Sequence, residues 1–145
     1  MQVFIIGTPL ETAKALDYKR LNKQIVECKQ ILDAMEGIGA WKNHPCVLQY
    51  KMHSLWLKSY MRCLICYSRG WVEDAEYHSN QAQSVKPFFH TVEFLEQMKR
   101  RLYTKDPIYY AQWMNLGTSE ENWYFVDGEL RKYINGKRIC QQGII

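Results

Sequence analysis

Arg20, Lys23, Gln24, Glu27 and Gln30 recur at spacings of three and four. On an α-helix that spacing gathers them on one side. The two cations suit phosphate oxygens. The two amides can donate to and accept from a base edge. Glu27 is then the one acid available to move a proton or to stabilise a cation. The plainer alternative is a solvated face on which Glu27 pairs with Lys23 or Lys19. A second group, Trp41, Asn43 and His44, precedes Pro45. A helix opening there presents free N–H groups and partial positive charge, which suits an anion. Histidine is also the side chain that titrates near neutrality. Capping accounts for Asn43 and Pro45, but not for Trp41 and His44 beside them. A third group is Lys105-Asp106-Pro107-Ile108-Tyr109-Tyr110. Its lysine suits a phosphate, and its tyrosines, Tyr110 above all, suit a base stack. The alternative is a helix breaker beside aromatic core residues.

These groups must be held by a chain of 145 residues, enough for one domain with its own core. Hydrophobic residues at 47% and charged residues at 23% exclude wholesale disorder. A net charge of +4 permits a polyanionic partner without requiring one. No apolar run approaches the roughly 18 residues of a membrane span, and Val3 to Ile6 lacks the flanks of a signal peptide. No membrane partner is expected. Five cysteines without an export signal point to reduced thiols in a cytoplasmic protein. Cys63-Leu-Ile-Cys66 has the C-x-x-C spacing but lies inside an apolar helical pattern, so it reads as core. His53, His78 and His90 are too scattered for a metal site. No zinc-protease helix, phosphate-cradling glycine loop or nucleophile elbow occurs. Neither metal nor cofactor is expected.

The elements follow from periodicity and caps. Gln2 to Ile6 reads as a strand. Thr8-Pro9-Leu10-Glu11 forms a capping box opening a short helix from Pro9 to Leu16. A second helix spans Asp17 to Glu36, with an apolar stripe of Leu21, Ile25, Cys28, Leu32 and Met35. A third, apolar on most sides, runs from Pro45 to Arg69 and reads as the central helix. Residues 71 to 87 read as a loop with one helical turn. A fourth helix runs from Phe88 to Tyr103, its basic end Lys99-Arg100-Arg101 suiting the helix dipole, and Pro107 to Trp113 forms a short further one. Asp127-Gly128 and Asn135-Gly136 mark type I′ turns that make the tail a β-hairpin with one more short run to Cys140. The expected architecture is a mainly α, single domain over residues 1–145. It has a helical core at 1–113, a short N-terminal strand and a small C-terminal β extension at 114–145.

The runs Leu16-Asp17…Arg20-Leu21…Lys23-Gln24…Glu27…Gln30-Ile31-Leu32, Trp41…Asn43-His44-Pro45 and Lys105-Asp106-Pro107…Tyr110 resemble a family of small bacterial and phage proteins. That family is grouped with the pyrimidine-dimer DNA glycosylases of the phage endonuclease V type. The resemblance covers roughly residues 1 to 113. Its similarity to the characterised dimer glycosylase is best from His44 to Trp71, and Tyr18 to Lys23 lines up with a Tyr-Arg-Glu-Leu-Pro-Arg segment there. The resemblance implies a mostly helical fold, duplex DNA binding, base displacement, and attack on the sugar by an N-terminal amine through an imine that a glutamate stabilises. Two positions depart from it. Arg20 stands in the glutamate's place, with Glu27 two turns further on. Position 2 is Gln, after which removal of the initiator is not expected, so either Met1 supplies the amine that the characterised enzyme takes from a threonine, or the amine is not used.

The first expectation is therefore a DNA glycosylase or lyase acting on a damaged or modified pyrimidine. Glu27 and Met1 are its catalytic groups, Arg20, Lys23 and Lys105 hold phosphates, and Gln24, Asn43 and His44 read or position the base. Trp41 or Tyr110 stacks on the displaced base. The second is a protein that binds a nucleotide or oligonucleotide without cleaving it, such as a phage protein that sequesters a nucleotide immune signal of its host. The third is an interaction module that forms a homodimer through the Trp123-Tyr124-Phe125 hairpin.

Overall fold

The structure, a computed structural model, describes residues 1–140 and 143–144; the Cys140 and Ile144 side chains lie outside the description. The chain forms two compact units, Met1–Phe88 and Phe89–Ile145. In the first, Thr8 and Glu11 form the expected capping box on α1 (Pro9–Ala15). Asp17 caps α2 (Tyr18–Met35) by accepting from the Arg20 N–H. Both helices start where a side-chain acceptor meets the orphan N–H groups of a first turn.

The expected central helix is two helices. α3 (Pro45–Tyr50) ends at an exposed break, Lys51 to His53, where His53 has φ −128° and ψ 33°; α4 (Ser54–Ser68) follows. The break has a packing cause. Residues six apart on a continuous helix point about 120° away from each other and cannot stack. Here the Tyr50 and Trp56 rings stack at 5.3 Å, and Trp56 stacks on Tyr60 at 4.8 Å. All three rings are fully buried. α4 is the central helix of this unit, packed against α1, α2 and α5 (Val72–Ser84).

Helix α5 occupies the stretch expected to be a loop. Its buried residues are Ala75, Ser79 and Ala82, at helical spacing but too small or polar to register as an apolar stripe. Small side chains let two helices approach closely. The Ser79 hydroxyl also accepts from the Leu10 N–H at 3.1 Å.

No strand forms at Gln2 to Ile6. The segment is buried and apolar, as a strand would be, but its polar backbone is satisfied by side chains. The Gln24 amide donates to the Gln2 carbonyl at 2.8 Å and accepts from the Phe4 N–H. The Tyr60 hydroxyl donates to the Phe4 carbonyl, Thr12 accepts from the Ile6 N–H at 3.1 Å, and the Val3 N–H bonds the Cys46 thiol. Gln24, the amide expected to read a base, is only 2% exposed and acts here as a surrogate peptide group.

In the second unit, Thr91 caps α6 (Val92–Lys105), which starts four residues later than expected. Arg100 and Arg101 do not sit at its end. They reach sideways to hold the following connection: Arg100 to the Leu116 carbonyl at 3.0 Å, Arg101 to the Ser119 carbonyl at 2.9 Å and Asn122 Oδ1 at 3.0 Å. The short helix expected from Pro107 is a 3₁₀ segment, Ala111–Leu116. The tail is an antiparallel sheet in the order β1 (Asn122–Val126), β2 (Glu129–Ile134), β3 (Lys137–Cys140), β4 (Gly143–Ile144). Asp127 and Gly128 have φ of 52° and 78°, and Asn135 and Gly136 of 49° and 77°, the paired positive angles that a type I′ turn needs.

The surrogate-peptide contacts predict a stability order. Tyr60→Phe strips the Phe4 carbonyl of a buried donor and will cost about 1–3 kcal/mol. Gln24→Leu leaves both the Gln2 carbonyl and the Phe4 N–H unmet and will cost more. Urea midpoints at unchanged m-value measure both. Thiol accessibility supplies an independent check. Burial pushes the Cys63 and Cys46 thiols up to about 12 and Cys28 well above its ordinary range. Alkylation of these three at pH 8 will be slow in the native protein and fast in urea.

Candidate functional site

Helix α2 divides the expected face in two. Lys23 and Gln30 point outward and are exposed, Gln24 is buried, and Arg20 and Glu27 lie on the margin between. Arg20 pairs with Asp17 at 3.2 Å across the first turn. Glu27 takes part in neither of the lysine pairings that its spacing allows. Its Oε2 accepts from the Gln2 N–H at 3.4 Å and from the Gln24 amide at 3.2 Å. The carboxylate therefore lies one peptide unit from the Met1 α-amine. The threading of Val3 to Ile5 through the core fixes that approach, because the segment cannot slide without breaking its bonds to Gln24, Cys46 and Tyr60.

The entry to α3 lies at the same chain end. The capping residue is His44, not Asn43: its Nδ1 accepts from the Cys46 N–H at 3.1 Å, and Asn43 is exposed. Burial, and then the positive Met1 terminus, hold the His44 imidazole below its ordinary titration range. The same terminus acts on the Cys46 thiol, as does Glu27. Met1, Glu27, His44 and Cys46 thus share one electrostatic neighbourhood. Trp41 is 48% exposed and meets His44 edge-on, with ring centroids 5.8 Å apart.

Cys46 was not singled out by sequence, although its place in the first turn after a capping histidine was a usable clue. Tyr60 gave none, since its partner Phe4 lies 56 residues away. Lys105 and Tyr110 belong to the second unit. Lys105 is exposed at the last turn of α6, and Asp106 Oδ1 accepts from the Tyr109 N–H at 3.0 Å. Tyr110 is fully buried and stacked on Trp113 at 5.4 Å; Tyr109, edge-on to it, is the exposed ring of the two. Among the described residues no group of three or more His, Cys, Asp or Glu is arranged to hold a metal ion.

An amine nucleophile needs its electron pair and a nearby anion for the cation it becomes. The Met1 end of the chain brings an α-amine and a carboxylate, Glu27, close together. The family model for pyrimidine dimer DNA glycosylase matches residues 1–79, a span that lies within the first unit and holds Met1, Glu27, Trp41 and His44. No curated protein and no solved structure matches the chain. With more than half of its length in that match, the chain belongs to the pyrimidine dimer DNA glycosylase family.

Proposed function

We propose that this protein is a DNA glycosylase with lyase activity on a damaged or modified pyrimidine, with the Met1 α-amine as nucleophile and Glu27 as the stabilising carboxylate. The observation that carries the reading is the Gln2 N–H to Glu27 contact at 3.4 Å, which brings a carboxylate beside the chain's own amine. Arg20 stands where the family has its glutamate, and Glu27, two turns further along α2, reaches the terminus from its own position. The amine nitrogen attacks the deoxyribose C1′. The glycosidic bond breaks, and the base leaves with the bonding pair and takes up a proton. The attached nitrogen gives up a proton, its pair opens the C1′–O4′ bond, O4′ takes up a proton, and an iminium remains. The Glu27 carboxylate offsets that charge. Loss of a C2′ proton then expels the 3′ phosphate. Lys23, Arg20 and Lys105 are the candidate phosphate contacts, and Trp41 the candidate stacking surface for a displaced base. His44 and Asn43 position that base at the entry of α3, and the exposed Tyr109 is backed by Tyr110.

A second reading, binding a nucleotide or oligonucleotide without cleavage, draws on the Arg20–Asp17 pair: an arginine held at 3.2 Å by a carboxylate occupies the family's catalytic position. The two readings part on one experiment. Borohydride is added to the protein with ultraviolet-irradiated duplex DNA, with Met1 confirmed intact by mass spectrometry. A covalent adduct on Met1 is the expected result, and N-terminal acetylation will abolish it. Absence of both adduct and strand nicking would leave the binding reading, tested next by mass spectrometry of bound nucleotides.

Two variants sharpen the assignment. Glu27→Gln will slow single-turnover cleavage by about 10²-fold or more, with DNA affinity retained. Lys23→Ala will weaken DNA binding evenly across sequences and reduce the salt dependence of log K by about one unit of slope.

A further inference from the structure

His44 does two things at once. Its Nδ1 closes the first turn of α3 by accepting the Cys46 N–H at 3.1 Å. The Cys46 thiol on that same turn receives the Val3 N–H, two residues from the chain terminus. The imidazole, the first turn of α3 and the N-terminal segment are thereby joined in series. An Nδ1 that accepts a hydrogen bond carries no proton, so the neutral ring bears its proton on Nε2. A second proton can enter only at Nδ1. It would set an N–H against the Cys46 N–H, and the cap would be lost.

We propose that His44 is a positioning residue for the Met1 amine, linked to it through Cys46 and Val3 and competent only in its neutral Nε2–H form. This deepens the imine reading above and rests on it for its kinetic consequence. The Met1 amine on the N-terminal segment is a charged group whose field reaches the ring, and the Cys46 thiol stands on the turn that the ring caps. Burial and the positive terminus both favour the neutral ring. The sign follows: the cap is intact above the ordinary histidine range and is lost as pH falls through the lowered value. His44 is then no general base, because its acceptor atom is already committed. Proton movement at the site falls to Glu27.

Two measurements test this. An amine reacts as its free base, so the single-turnover rate on an abasic-site duplex falls tenfold per pH unit on the acid side of the amine's titration. In the native protein the fall will steepen to a hundredfold per unit once His44 protonates. His44→Asn keeps a capping acceptor that does not titrate, so its profile will hold to tenfold per unit over the same range, whatever its absolute rate. A native profile that stays at tenfold on through the ring's own titration midpoint, read from the spectra below, or the same steepening in His44→Asn, overturns the proposal.

The second measurement needs no DNA. Nitrogen-15 spectra of the His44 ring will show an unprotonated Nδ1 and a protonated Nε2, and N-terminal acetylation, which removes the terminal charge, will raise the ring's titration midpoint. A protonated Nδ1 at neutral pH, or a midpoint indifferent to acetylation, also overturns it. If no DNA substrate yields an adduct, the imine reading fails, while the ring spectra still decide the role of His44.

Discussion

One side chain carries the first unit's most demanding constraint. An extended, apolar segment is buried without a neighbouring strand, which leaves its amides and carbonyls in a medium where each unmet group costs about 1–3 kcal/mol. Gln24 answers two of them with one planar amide. Its carbonyl and its NH₂ have the same donor and acceptor pair as a peptide, so α2 offers the N-terminal segment one rung of a ladder. Tyr60, Thr12 and the Cys46 thiol supply others. These bonds help to set the position of the chain's α-amine.

The same constraint links the fold to the chemistry. Glu27 lies one turn beyond Gln24 and bonds both the Gln24 amide and the Gln2 N–H. A residue that organises the core and a residue that faces the terminus are thus adjacent on one helix. Changes at Gln24 will be felt as lost stability and as a displaced amine together, whereas changes at Lys23, on the exposed side of the helix, affect neither.

Much of the framework was legible because it is written locally. The Thr8–Glu11 capping box, the Asp17 cap, the extent of α2 and both I′ turns depend on residues within a few positions of each other. Three features were not. Helix α5 buries Ala75, Ser79 and Ala82, which leave no hydrophobic period to read. The break at Lys51 to His53 interrupts an apolar pattern that continues across it, and only the Tyr50–Trp56 stack reveals the reason. Val3 to Ile5 has the composition of a strand because burial on all sides selects the same residues whether the partner is backbone or side chain. For the site, residue types pointed to Glu27 and His44 and the family resemblance to Met1, but how these residues are brought towards one chain end is tertiary. The split of the α2 face into a buried Gln24 and an exposed Lys23 depends on what packs against the helix, which spacing alone does not contain.

The threaded terminus also sets an order of events during synthesis. Met1 to Ile6 is made before the rest of its unit, yet the donor that meets the Phe4 carbonyl lies 56 residues downstream. Until Tyr60 emerges and α4 forms, Val3-Phe4-Ile5 is a short apolar run with an open backbone, the kind of segment that pairs with other chains. The helices close through near neighbours and are fast; seating the terminus on Tyr60 closes a loop of 56 residues and comes later. The segment of this unit made first therefore waits for a helix made much later before it can be seated.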